Sequence, residues 1–220
     1  MRWRRLASAN AIRSTRQSRL PRHWQGSSIP CTLINLKIED FLRRICAALE
    51  LNRVPYMVTG SLASSVHDEP RSTNDLDVVI APTRDQLFSL VQLFGRVGLY
   101  VRWEDAETAL KKRDQFNVVD FANSWKVDFI VRKAREFSLS EFDRREPAEM
   151  DGLTFVVASA EDVLISKLEW LKMGESERQL NDAAGIIRIQ GGRLDIAYVE
   201  RWIESLGLQE QWLRARQLAG

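Results

Sequence analysis

Apolar residues recur at helical spacing from Ile38 to about Asn52, which predicts a helix ending in a polar turn. The pattern then tightens. Residues 55 to 59 close with Tyr56-Met57-Val58-Thr59, an apolar, β-branched run that stops at Gly60, and they predict a short strand. Ser61-Leu62-Ala63-Ser64-Ser65-Val66 restores helical spacing as far as His67. A polar segment, Asp68-Glu69-Pro70-Arg71-Ser72-Thr73-Asn74, reads as a loop leading into a second strand, Asp75 to Ile80. Thr83 is placed to cap a helix running to about Phe94, and a strand is expected over about 97 to 103. Phe116 to Phe121 and Lys126 to Val131 are strands joined by Ala122-Asn123-Ser124-Trp125, a β-hairpin. Another short strand is expected at 153 to 157.

Beyond residue 159 the pattern is helical throughout. Ser159 caps a helix with Glu161 and Asp162 in its first turn and Val163, Leu164, Leu168 and Leu171 on its apolar face. Ile196, Val199, Trp202 and Ile203 form a further apolar stripe, and Trp212 with Leu213 another. Strands early and helices late predict an α+β fold: an α/β core over residues 36 to 158, then a C-terminal helical bundle over 159 to 220.

The chemistry concentrates where the first predicted strand meets its helix. Glycine at position 60 lets backbone approach a ligand closely, and the free N–H groups of the new helix, with the Ser61 hydroxyl, favour an anion there. Thirteen residues separate Ser61 from Asp75-Leu76-Asp77. Strand alternation points Asp75 and Asp77 to one face and Leu76 and Val78 to the other. Paired carboxylates repel unless a cation lies between them, and Mg²⁺, which favours hard oxygen ligands and bridges to phosphate, suits that place.

Strand, Gly60-Ser61, helix, polar loop and the Asp75-Leu76-Asp77-Val78 strand together resemble the nucleotidyltransferase superfamily that includes DNA polymerase β. That family carries a third acid in a later strand. Asp128, flanked by apolar residues within its run, fits better than Asp120, which ends its strand beside the turn, where an acid is ordinarily solvated. The resemblance implies a mixed sheet flanked by helices, with Asp75, Asp77 and Asp128 as metal ligands and catalytic acids. It implies two Mg²⁺ ions, with Mn²⁺ as a substitute, and a nucleoside triphosphate held at Gly60 and Ser61. It further implies that Asp128 helps to deprotonate the attacking hydroxyl as pyrophosphate departs.

Lys167, followed by Arg178 and Asp182 four residues apart on one helix face, resembles the signature of the AbiEii-like nucleotidyltransferase toxins, a group that also includes enzymes acting on tRNA ends. On that resemblance Lys167 contacts the triphosphate and Asp182 is a further catalytic acid. It implies an RNA, tRNA or protein acceptor and an antitoxin partner. Arg71 in the loop and Arg144-Arg145 are either phosphate contacts or ordinary loop charges, and of these Arg71 is the nucleotide-binding candidate. With two histidines and no Cys/His cluster, neither a zinc site nor a Ser-His triad has support.

Net charge is +2, but it is unevenly spread. Residues 1 to 30 hold seven arginines and no acid, leaving 25 basic against 30 acidic residues in the remainder, a net of −5. Residues 1 to 35 are therefore expected to be a basic extension without fixed structure, able to bind RNA through charge or to play no role. The extension lacks the apolar core of a secretory signal, no run reaches the roughly twenty apolar residues of a membrane span, and two cysteines make no disulfide framework. A cytoplasmic enzyme is expected. Two other readings stand beside the toxin-like one: nucleotidyl transfer to a small molecule, as antibiotic-modifying relatives perform, and a non-catalytic binding module on the same fold. A basic groove would favour RNA, and a closed polar pocket a small alcohol.

Overall fold

The computed structural model describes residues 3–5, 38–68, 75–174 and 176–220. Its strands are β1 (Trp3–Arg5), β2 (Tyr56–Thr59), β3 (Asp75–Ile80), β4 (Gln115–Asp120), β5 (Trp125–Val131), β6 (Glu146–Met150) and β7 (Leu153–Val157). Among the described residues they form one sheet in the order β1-β6-β7-β2-β3-β5-β4. β2 runs parallel to β7 and β3 parallel to β5, and the other neighbours are antiparallel.

The helices are α1 (Ile38–Leu51), α2 (Gly60–His67), α3 (Arg84–Arg96), α4 (Trp103–Lys112), α5 (Glu136–Asp143), α6 (Ala160–Gly174), α7 (Glu177–Gln190), α8 (Ile196–Leu206) and α9 (Gln209–Ala219). α1 buries Phe41, Leu42, Ile45, Cys46 and Leu49, the stripe that its sequence spacing predicts. α3 starts with a reciprocal capping box: Thr83 Oγ1 accepts from Gln86 N at 3.2 Å, and Gln86 Oε1 accepts from Thr83 N at 2.8 Å. α6 and α7 pack on each other and both reach α2. One cluster of buried side chains runs from Phe41 and Met57 through Leu76, Val78 and Phe129 to Leu164, Leu168, Ala183 and Trp202. The core therefore continues across the expected boundary at residue 158. The architecture is α+β, a mixed sheet flanked by helices.

Several expectations change. The strand expected over 97 to 103 reduces to one bridge, Tyr100 to Val119, because Gly98 turns at φ +80° and Trp103 already opens α4. That helix has Glu104 and Asp105 in its first turn and Lys111 and Lys112 in its last, which suits the helix dipole. α5 and β6 were not expected. β6 and β7 are joined by Asp151-Gly152, both at positive φ (47° and 74°), a two-residue hairpin. Ile196 and Leu213 are exposed at 41% and 58%, so those stripes are narrower than expected, while Val199, Trp202, Ile203 and Trp212 are buried.

Asp120 is not solvated but buried. It accepts from Arg44 at 2.7 Å, from the Asn123 side chain at 3.1 Å and from Ala122 N at 3.1 Å, which ties the hairpin turn to α1. Burial works against its ionisation, but the bonds from Asn123 and Arg44 outweigh it and hold the carboxyl below its ordinary range. Of the basic extension, Trp3–Arg5 pair with Met150, Glu149 and Ala148 as an edge strand. The rest of residues 1 to 35, and residues 69–74 with Arg71, lie outside the described residues.

Candidate active site

β2 delivers the chain to Gly60, whose φ of +64° disfavours any other residue. A Cβ there would stand 1.9 Å from Oδ2 of Asp77. Glycine is thus what lets the Asp77 carboxylate lie against the first turn of α2, where the backbone N–H of Ser61 donates to it. Burial and the neighbouring Asp128 push the Asp77 carboxyl above its ordinary range, while Lys167 and the Ser61 N–H act in the opposite sense.

The parallel register of β3 and β5 sets Asp77 beside Asp128 and Asp75 beside Lys126. Alternation sends Leu76, Val78, Val127 and Phe129 into the core, so the three acids and Lys126 share the other face. Lys126 Nζ lies 2.9 Å from Asp128 Oδ2 and 3.7 Å from Asp75 Oδ1. The hydrogen bond to Asp128, aided by the Asp75 and Asp77 charges, holds the ammonium above its ordinary range. The other oxygen of Asp128, Oδ1, is buried without a hydrogen-bond partner among the described residues.

α6 and α7 bring the second group of residues. Lys167 is 4% exposed and donates to Asp182 Oδ2 at 2.8 Å. Arg178, four residues before Asp182 on α7, donates to Ser61 Oγ at 3.0 Å and so closes over the start of α2. Lys167 shares a cleft of about 390 Å³ with Thr59, Gly60, Ser61, Asp77 and Asp128. Asp182, buried, is its ion-pair partner. Asp75 is the most exposed of the three strand acids, its side chain 59% accessible.

Sequence reasoning did not single out the far side of this cleft. Arg135 meets Glu169 through two bonds, 2.5 and 2.6 Å, and donates to Ser138 Oγ at 3.0 Å. Glu141 is buried, takes a bond from Ser166 Oγ at 3.4 Å, and is pushed up to about 7 by burial and by Asp162. The chain offers no local signal for Glu141 or Glu169, because their place depends on how α5 and α6 pack. Lys126 was legible in principle: two residues before Asp128, it must share that residue's face. Arg144 is structural, pairing with Glu161 at 3.1 Å and Asp162 at 3.3 Å and lying over the Tyr198 ring at 3.8 Å. Arg145 lies over the Phe142 ring.

The donors suit a hard divalent cation. Asp75, Asp77 and Asp128 offer only oxygen, Asp128 Oδ1 lacks a partner, and Asp77 and Asp128 repel each other. Among the described residues no three acidic, histidine or cysteine side chains already converge as a metal cage; an ammonium stands between Asp75 and Asp128.

No family model and no curated protein matches this chain. Solved structures do. The antibiotic-resistance factor ANT(2'')-Ia aligns with a TM-score of 0.51 at 11% identity, over 77% of this chain and 92% of that one. The lincosamide antibiotic adenylyltransferase LnuA, bound to lincomycin, gives 0.48 at 14% identity over 69% and 97%. An antigenic nucleotidyltransferase-like protein from Paracoccidioides brasiliensis gives 0.46 at 15% identity over 79% and 91%. The architecture is the nucleotidyltransferase fold. Among the described residues no helix is long and apolar enough to cross a membrane.

Proposed function

We propose that this chain is a nucleotidyltransferase that moves a nucleoside monophosphate from a nucleoside triphosphate to an acceptor hydroxyl. The observation that carries the reading is the register of Asp77 beside Asp128, with Gly60 and Ser61 packed against the first and a partnerless oxygen on the second. Asp75, Asp77 and Asp128 would hold Mg²⁺, or Mn²⁺ in its place. Such an ion, when bound, supplies a Lewis acid that neutralises phosphate charge. The chain's own groups do the rest. The N–H groups opening α2 and the Ser61 hydroxyl would orient the triphosphate, with the ammonium of Lys167 and the guanidinium of Arg178 as fixed positive charge. The acceptor oxygen would bond to the α-phosphorus as the bond to the β-phosphate oxygen breaks. Pyrophosphate leaves, and the hydroxyl proton passes to a carboxylate, Asp128 in this reading. Asp182 would act by fixing Lys167.

For the acceptor, the cleft favours a small polar molecule. It is about 390 Å³, the size of a small-ligand site, and its lining is mixed rather than a basic groove, with Glu141 and Glu169 offset by Arg132, Lys133 and Arg135 and with Ser138 and Ser166 as hydrogen-bonding groups. The toxin-like alternative, transfer to a tRNA or RNA end or a protein under control of an antitoxin, rests on the Lys167, Arg178 and Asp182 pattern. Incubating the protein with each α-labelled nucleoside triphosphate and Mg²⁺, against total tRNA, cell protein and a small-molecule extract, separates the two. Label is expected in the small-molecule fraction; label confined to tRNA or protein supports the alternative, and label in none of them contradicts nucleotidyl transfer.

A further inference from the structure

Three carboxylates crowded onto one face of adjacent strands need positive charge even when no metal is bound, and the chain carries its own. Lys126 and Asp128 are two apart on β5 and therefore share a face, while the β3–β5 register sets Lys126 beside Asp75 and Asp128 beside Asp77. The four side chains form a two-by-two patch with the ammonium at one corner. Its Nζ stands 2.9 Å from Asp128 Oδ2 and 3.7 Å from Asp75 Oδ1, between two of the carboxylates that would hold the proposed cation. An ammonium is a compact point charge on a flexible stem, so it fills such a place and can leave it without moving backbone. The side chain is 37% accessible, with room to swing toward solvent.

We propose that Lys126 is a built-in counter-ion, occupying the acid patch until a divalent metal displaces it, so that metal affinity is set by competition with this side chain. The inference rests on the metal-binding reading of Asp75, Asp77 and Asp128. Lys126 stabilises the metal-free protein by cancelling repulsion among the acids, and it weakens metal binding because an ion must first detach it.

Titration with Mn²⁺ alone, followed by electron paramagnetic resonance of the free ion, tests this without any measurement of turnover. Lys126→Met keeps the stem and removes the charge; Lys126→Arg keeps the charge. Lys126→Met is expected to bind Mn²⁺ about fivefold more tightly than the native chain, as the loss of one partly exposed ion pair implies. Lys126→Arg is expected to bind no more tightly than the native chain. Lys126→Met should also melt at a lower temperature in EDTA and recover the difference with saturating Mn²⁺, whereas a purely structural lysine would lower both melts equally. Equal or weaker Mn²⁺ binding by Lys126→Met, with binding lost in Asp128→Asn, overturns the counter-ion and leaves the metal site standing. Absence of Mn²⁺ binding by the native chain overturns both.

Discussion

At Gly60 one methyl group would close the approach of Asp77 to the first turn of α2. Gly60→Ala would force a left-handed residue and drive Cβ to within 1.9 Å of Asp77 Oδ2, so the carboxylate must turn away. The expected result is a loss of about 1–3 kcal/mol in urea unfolding together with loss of Mn²⁺ binding. Asp120→Ala makes the complementary case. It strips the hairpin turn and α1 of a shared partner and should cost about 1–3 kcal/mol while leaving nucleotide transfer unchanged, as paired unfolding and transfer assays would show. Glu141 adds a pH signature. Its folded-state pKa, about 7, lies above the ordinary value of 4.5, so the folded chain holds the proton longer than the unfolded chain. Stability is therefore unaffected below about 4.5, declines as pH rises toward 7, and stays depressed above it. Glu141→Gln should stabilise the protein at pH 8 by up to about 3 kcal/mol and by almost nothing near pH 4; an equal gain at both would show that the carboxyl is not buried against its charge.

Between elements, the pair linking α6 to α7 would join stability to the proposed triphosphate binding. Lys167 and Asp182 are both buried, so removing one takes from the other its ion-pair partner across α6 and α7, and Lys167→Met should cost about 3–5 kcal/mol. Lys167→Met with Asp182→Leu removes both charges and should recover most of that stability without recovering triphosphate affinity, as thermal melts and nucleotide titration would report. Recovery of both would reduce the pair to a packing device. The local elements were largely legible in sequence. β2, α2, β3, the hairpin around residue 122 and the capped α3 follow from period and punctuation, because their signals are local. The Asp151-Gly152 turn was equally local, yet β6 contains Pro147 and charged Glu146 and Glu149, which blur its strand pattern. Tyr100 shows the opposite error, an apolar and β-branched segment that finds one backbone partner on β4 before α4 begins.

For the molecule as a whole, one continuous core joins the sheet to the helices that follow it, and the cleft lies where β3 and β5 meet α5 and α6. Asp75 and Asp77 could be read as one face from strand alternation, and the resemblance and its apolar neighbours single out Asp128. Lys126 could be placed on the Asp128 face by the same alternation; what the chain hides is that it also meets Asp75, that Lys167 and Arg178 come from helices some ninety or more residues beyond Asp77 to the cleft and to Ser61, and that Glu141 lies across the cleft. Such meetings depend on register and packing, which no local pattern encodes. The most direct test of nucleotidyl transfer compares native chain and Asp77→Asn, each with α-labelled nucleoside triphosphate, Mg²⁺ and the acceptor fraction that takes up label, with circular dichroism confirming that both are folded. Transfer and pyrophosphate release by the native chain, abolished by Asp77→Asn and by EDTA, is the predicted result; transfer that survives Asp77→Asn in a folded protein would contradict the site.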